Sequence, residues 1–294
     1  MNKRSAGILL PITSLPSKYA IGDFGDEALK FAKFLHEAGQ KIWQVLPLTT
    51  IDPGCGNSPY SPTSAFAGNY LLTSPDELVK DNLLLPEELN KLAAKYDFEK
   101  NPEKADYEAA REFKTETLNA AYKRYTRLGG GKFETFRKSV SWLRDFALFS
   151  VIKQVNGGAA WYEWPEELKH RDPDALKKFS KEYSNEIAWQ EFYQFIFFSQ
   201  AAKLKENLKE LKIELVGDMP LYVTLDCADV WQSPELFDLD EDLTPVTVAG
   251  VPPDYFSSTG QLWGNPTYKW DVMEKQGFKW WLDRLKNLLG MFDK

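Results

Sequence analysis

The sequence predicts an α/β fold in which parallel strands are joined through helices. Two apolar runs, AGILLPI at 6–12 and KIWQVLPL at 41–48, flank DEALKFAKFLHEA at 26–38. The middle segment has helical spacing at Leu29, Phe31, Ala32 and Leu35, acids in its first turn and a stop at Gly39. A crossover of that length lets the flanking strands pair in parallel. A third run, IELVGDMPLYV at 213–223, supplies a third strand. The competing doubly wound nucleotide fold has no Gly-x-Gly-x-x-Gly after the first strand and no Gly-Lys-Ser/Thr loop to support it.

Between the second and third strands the chain is helical. Residues 75–128 are dominated by Leu, Glu, Lys and Ala and read as surface helices inserted after the second strand, closed by the glycines at 129–131. Residues 139–155 read as a helix with a buried face and 186–212 as another long helix. FKWWLDRLKNLLGMFD at 278–293 reads as an amphipathic helix. The expected division is 1–74 (first strands and a long loop), 75–212 (mostly helical) and 213–294 (third strand, an aromatic ribbon and a helix).

Composition narrows the partners. The chain has 294 residues, 43% hydrophobic and 27% charged, with a formal charge of -7. That balance offers no basic face, so nucleic acid and anionic lipid are not expected as partners. No apolar run approaches the roughly 20 residues of a membrane span. The amino terminus lacks a secretory apolar region, and a cytoplasmic location is expected. Cys55 and Cys227 are two and far apart, which does not make a disulfide framework. His36 and His170 are the only histidines, which speaks against a His-rich metal site or a Ser–His–Asp triad. Aromatic residues make up 14%, with ten Trp. A ring-rich core and a stacking surface both fit that number.

Three segments carry candidate chemistry. In GCGNSPYSPTSAFAGN at 54–69, Tyr60 is flanked by two prolines, with Ser58, Ser64 and Asn69 nearby. Fixed backbone around a ring lowers the entropy lost when the ring meets a ligand; a ring packed as a lid on the core is the plain alternative. Asp218 falls at the carboxyl end of the third strand, where barrels of alternating strands and helices place their chemistry. Asp226 and Asp229 follow within YVTLDCADVW and with Asp218 form a carboxylate cluster suited to vicinal hydroxyls, although Asp229 is expected to cap a short helix. The third segment, GVPPDYFSSTGQLWGNPTYKW at 250–270, has five rings and almost no charge. Its rings do not alternate as a strand requires, so it reads as a stiff ribbon without regular structure. Rings for the apolar face of a pyranose, and amides and hydroxyls for its rim, describe a sugar-binding surface.

These motifs resemble the 4-alpha-glucanotransferase (amylomaltase and disproportionating enzyme) family, glycoside hydrolase family 77. AGILLPITSLPS, KIWQVLPL with GNSPYSPTSAFAGN, WPEELKHRDPDAL, VGDMPLYV with DCADVWQSPELF, and VAGVPPDYFSSTGQLWGNP occur in the family's order along nearly the whole chain. The resemblance implies a (β/α)8 barrel with inserted helical subdomains and an aromatic flap, of which this chain holds a part that ends before the fourth barrel strand. By resemblance Tyr60 stacks on the sugar at the cleavage point with Ser58 beside it, and Asp218 contacts the same sugar. Tyr255, Phe256, Gln261 and Trp263 correspond to flap groups that meet the glucan. The implied reaction transfers α-1,4-glucan segments between maltooligosaccharides through a covalent intermediate on an aspartate, with no metal or organic cofactor.

The family's nucleophile lies on the fourth strand and its acid/base glutamate later still, so both are expected beyond Lys294. Asp218, Asp226 and Glu235 are not candidates to replace them. The expectation is therefore a transferase of this family whose residues 1–294 alone are inactive, and which pair with a C-terminal half, pair with themselves or rearrange their sheet. A non-catalytic α-glucan binder and an α-glucan hydrolase on the same fold are the alternatives.

Overall fold

The computed structural model describes residues 4–98 and 104–294. The expected start is observed as β1 (Gly7–Leu9), α1 (Asp26–Glu37) and β2 (Ile42–Gln44). All three parallel strands are shorter than their apolar runs. Pro11 and Pro47 remove ladder donors from the first two, and the chain after Pro11 turns into a short 3-10 helix, Ile12–Ser14.

Helices fill the chain up to the third strand: α2 (Pro75–Lys80), α3 (Pro86–Ala93), α4 (Tyr107–Leu128), α5 (Gly131–Ser139), α6 (Leu143–Val155), α7 (Glu166–Lys169), α8 (Pro173–Glu182) and α9 (Ser184–Glu210). The segment 75–128 is more than surface helices. Leu78, Leu84, Leu89, Phe113, Leu118 and Ala121 enclose a core of their own against Phe192, Tyr193 and Ile196 of α9. Nor do the three glycines end the helical region: Gly129 takes a positive φ of 70°, and α5 starts at Gly131. The insertion is tied down by Lys114, whose buried ammonium pairs with Asp23 at 2.9 Å and donates to the Thr73 carbonyl at 2.9 Å.

The third strand, β3 (Glu214–Val216), completes a parallel sheet of order β1-β2-β3 with Gly7, Ile42 and Glu214 in register. On it pack α1 through Ala28, Ala32 and Leu35, and α9 through Phe197, Ala201, Leu204 and Leu208. The long α9 is thus apolar on two sides, because it separates the sheet core from the insertion core. The Asp293 N–H donates to the Leu215 carbonyl at 2.9 Å and the Gly217 N–H to the Lys294 carbonyl at 2.8 Å. Residues 293–294 thus already lie along the outer side of β3.

The remaining elements are α10 (Ala228–Gln232), β4 (Val248–Val251), β5 (Gln261–Pro266), α11 (Trp270–Lys275) and α12 (Lys279–Met291). Here the ribbon expectation is corrected: β4 and β5 form an antiparallel hairpin, with a bulge between Val248 and Gly250. From Gln261 to Gly264 β5 is exposed on both faces. A strand without a core side has no reason to alternate, so the pattern that would have betrayed it is missing. At its far end Gly260 holds φ at 73°, and a Cβ there would lie 2.5 Å from the Val251 carbonyl oxygen. Four of the ten tryptophans, Trp43, Trp161, Trp164 and Trp231, are buried; Trp142, Trp189, Trp280 and Trp281 are partly buried against the cores, and Trp263 and Trp270 are exposed. No described helix is long and apolar enough to cross a membrane.

Candidate functional site

The loop carrying Tyr60 leaves the carboxyl end of β2 and is held along its length. Asp52 accepts the Gly54 N–H at 2.7 Å and starts the turn Pro53–Cys55. Arg111 of α4 donates to the Asn57 side chain at 2.8 Å. Ser58 Oγ accepts the Tyr60 N–H at 3.2 Å, so this serine fixes the backbone from which the ring projects. Further along, the Ala228 N–H donates to the Thr63 carbonyl at 2.9 Å and the Asn287 amide to the Phe66 carbonyl at 3.0 Å. Gln194 of α9, buried, accepts the Gly68 N–H at 2.7 Å and donates to the Gly68 carbonyl at 2.9 Å. Gln200 repeats the clamp on Ser74, accepting at 2.6 Å and donating at 3.1 Å.

Asp218 lies two residues past β3, and the Tyr60 hydroxyl donates to its Oδ2 at 2.7 Å. That hydrogen bond, with partial burial and the carboxylate's charge, pushes the Tyr60 phenol up to about 12. Tyr60 lines a cleft of about 450 Å³ whose other walls are Pro220, Leu221, Tyr222, Trp263 and Asn265. Tyr222 and Trp263 lie tilted at 57° to each other with centroids 6.4 Å apart. Behind them Tyr222 stacks on the buried Tyr268 at 5.8 Å and 11°. The Tyr268 hydroxyl donates to the Leu221 carbonyl at 2.9 Å, and the Asn265 amide donates to the Val223 carbonyl at 2.8 Å.

Of the sequence-derived residues, the structure brings Tyr60, Asp218 and Trp263 together, with Ser58 bracing the first. Gln261 accepts from the Trp263 indole N–H at 3.1 Å and orients that ring without lining the cleft. Tyr255 and Phe256 stand apart on the hairpin tip, 96% and 90% exposed. Tyr222, Leu221 and Asn265 were missed; they sit in PLYV and GNP, next to residues already singled out.

The carboxylate cluster does not form. Asp226 is committed to Lys153 and to the Trp161 N–H, the latter at 3.2 Å. Asp229 is buried in the first turn of α10, but it does not cap that helix. Its oxygens accept the Ala65 N–H at 2.7 Å and the Trp280 indole N–H at 3.2 Å. Burial raises its pKa, opposed by the Ala65 N–H and by Arg284. Glu235 lines a separate groove with Trp142 and Asp283. Cys55 and Cys227 are both free thiols. Among the described residues, no group of three or more His, Cys, Asp or Glu is placed to hold a metal ion.

Parallel strands whose following loops meet in a tyrosine–aspartate pair, faced by further rings, define an α/β protein with its site at the carboxyl ends of the strands. A family model described as 4-alpha-glucanotransferase matches residues 10–294, and the chain belongs to that family, glycoside hydrolase family 77. It is 48% identical over 291 residues to the 4-alpha-glucanotransferase of Aquifex aeolicus, covering 99% of this chain and 58% of the relative. To the 4-alpha-glucanotransferase of Synechocystis it is 42% identical, covering 100% and 58%. Among solved structures, the amylomaltase of Streptococcus agalactiae in complex with acarbose superposes with a TM-score of 0.90 at 39% identity, over 99% of this chain and 58% of that one. The chain therefore spans somewhat over half the length of these relatives.

Proposed function

We propose that the chain carries the glucan-contacting part of a 4-alpha-glucanotransferase site, which moves α-1,4-glucan segments between maltooligosaccharides by a retaining double displacement. The observation that carries this reading is the Tyr60–Asp218 hydrogen bond beside a cleft walled by Tyr222 and Trp263. A pyranose fits such a place: its C–H faces stack on rings, and its hydroxyls take the carboxylate and the Asn265 amide. With its phenol raised to about 12, Tyr60 stays protonated near neutrality and serves as both ring and donor. The likeness to an amylomaltase structure that holds acarbose supports the same ligand class.

Retaining transfer uses two carboxyl groups about 5–5.5 Å apart, one the nucleophile and one the acid/base. Asp226 and Asp229 are committed elsewhere and Glu235 lines another groove, which leaves Asp218, bonded to Tyr60 beside the cleft without lining it, as the nearest of these carboxylates. Residues 1–294 accordingly bind glucan without turning it over, and the catalytic pair comes from polypeptide outside them. The sheet is read as part of an eight-stranded barrel. Its consecutive order supports this, as does the exposed row Leu282, Leu285 and Leu289 on α12, a face suited to a following barrel helix. The hairpin is the flap that shields the reacting sugar from water. A cytoplasmic location accords with two free thiols.

Calorimetric titration of residues 1–294 with acarbose and maltoheptaose tests the reading, alongside glucose release from maltotriose. Trp263→Ala is expected to weaken binding by about 1–2 kcal/mol, roughly tenfold. Binding that is absent, or unaffected by Trp263→Ala, overturns the assignment of the cleft. Turnover by the 294-residue polypeptide overturns the assignment of the carboxylates.

A further inference from the structure

Arg284 projects from α12 and is 1% exposed, an unusual setting for a guanidinium. Its Nη2 donates to the Pro220 carbonyl and its Nη1 to the Leu221 carbonyl at 3.5 Å, two and three residues past Asp218. The guanidinium lies 5.2 Å and 5.3 Å from the ring centroids of Trp280 and Trp281. Its Nε–H has no partner among the described residues. Asp229 is the buried carboxylate whose charge acts on it. That carboxylate holds the Ala65 N–H of the Tyr60 loop and the indole of Trp280. One path thus runs from the Tyr60 loop through the buried Asp229 and the half-buried Trp280 to the buried Arg284, and on to the loop of Asp218.

We infer that Arg284, backed by Asp229, is a positioning residue that holds the Asp218 loop against the Tyr60 loop and thereby sets the hydrogen bond at the glucan cleft. Burying a cation is unfavourable, and an apolar side chain would fill the same space at lower cost. Burial does lower the Arg284 pKa, with Tyr268 and then Asp229 opposing that shift. What an apolar side chain cannot do is reach two successive carbonyls with a planar fork, and lysine can reach only one of them well. The role for glucan rests on the proposed function; the role in geometry does not.

The test reads Tyr60 itself, by NMR of 13Cζ-labelled tyrosine from about pH 9 to 12, across the range of an ordinary phenol and up to the raised one. Asp218→Ala gives the signal of a Tyr60 without its acceptor. In Arg284→Met the Tyr60 midpoint is expected to fall from about 12 towards the ordinary 10. Arg284→Lys should fall less. A folded Arg284→Met protein with a lowered melting temperature and an unmoved Tyr60 would show that the arginine only stabilises, and the inference fails. If Arg284→Met does not fold, Arg284→Lys decides: an unmoved Tyr60 in that variant overturns the inference. A shifted Tyr60 in a protein that binds no glucan would uphold the positioning role and remove the proposed function alone.

Discussion

Tyr60 sits in a loop bonded to α4, α9, α10 and α12, whereas Tyr255 and Phe256 sit on a hairpin tip that bonds only to itself. At the tip, Asp254 accepts the N–H groups of Phe256 and Ser257 at 2.9 Å and 2.8 Å, and Ser257 donates to the Gly260 carbonyl at 2.7 Å. The tip backbone is therefore shaped locally while its rings stay in solvent. The difference teaches where order is stored. Around Tyr60 the folded protein has already lost the freedom that binding would otherwise take; if, as proposed, the tip meets glucan, that loss would fall there at the moment of binding.

The comparison breaks most severely at Gly68. A Cβ there would lie 2.0 Å from the ring of Phe197, which is wholly buried between α9 and the sheet. The ring has nowhere to retreat, so Gly68→Ala is expected to destabilise by about 3 kcal/mol, at the upper end for overpacking. Urea denaturation reads this as a lowered midpoint. An unchanged midpoint would mean that the loop can lift away from α9, contrary to its braced character.

Gln194→Ala is expected to have the next largest effect. It removes both bonds to Gly68 and leaves a buried N–H and carbonyl without partners, for about 2 kcal/mol. A further sharpening comes from Gln194→Glu, which keeps the acceptor for the Gly68 N–H and loses the donor to its carbonyl. Near neutral pH its buried carboxylate faces the Gly68 carbonyl oxygen, so it should be no more stable than the alanine variant, and it should gain stability as the pH falls and the protonated acid can donate to that carbonyl. A Gln194→Glu midpoint above that of the alanine variant near neutrality would mean that the loop opens to water.

The sequence showed these regions unequally, for physical reasons. The sheet was legible because Leu29, Ala32 and Leu35 repeat at helical spacing between two apolar runs. Tyr60 was legible because prolines flank it, and Asp218 because it follows a strand. The hairpin was not, since β5 has no buried face to impose alternation. The tie between Asp229 and Arg284 was not either. Its members lie 55 positions apart, and nothing local marks an aspartate that bonds Ala65 instead of its own helix. Ten tryptophans fitted a ring-rich core and a stacking surface equally; four are buried, four are partly buried against the cores and two are exposed.

The smallest expected effect belongs to the tip. Tyr255 and Phe256 contact each other edge to face at 5.5 Å and remain almost wholly in water. Replacing both by alanine should change stability by no more than about 0.5 kcal/mol, as for surface positions in general. Neither ring lines the cleft, so maltotriose affinity should also stay close to wild type. A longer glucan that extends from the cleft to the hairpin can stack on these rings, and its affinity should fall by about 1 kcal/mol, roughly fivefold. Calorimetry with maltotriose and with a long maltodextrin separates the two cases. An equal loss for both ligands would mean that the tip folds down over the cleft itself when sugar binds. The contrast between a prepaid loop and a capturing tip would then reduce to one cleft with two walls, one of them set only in the complex.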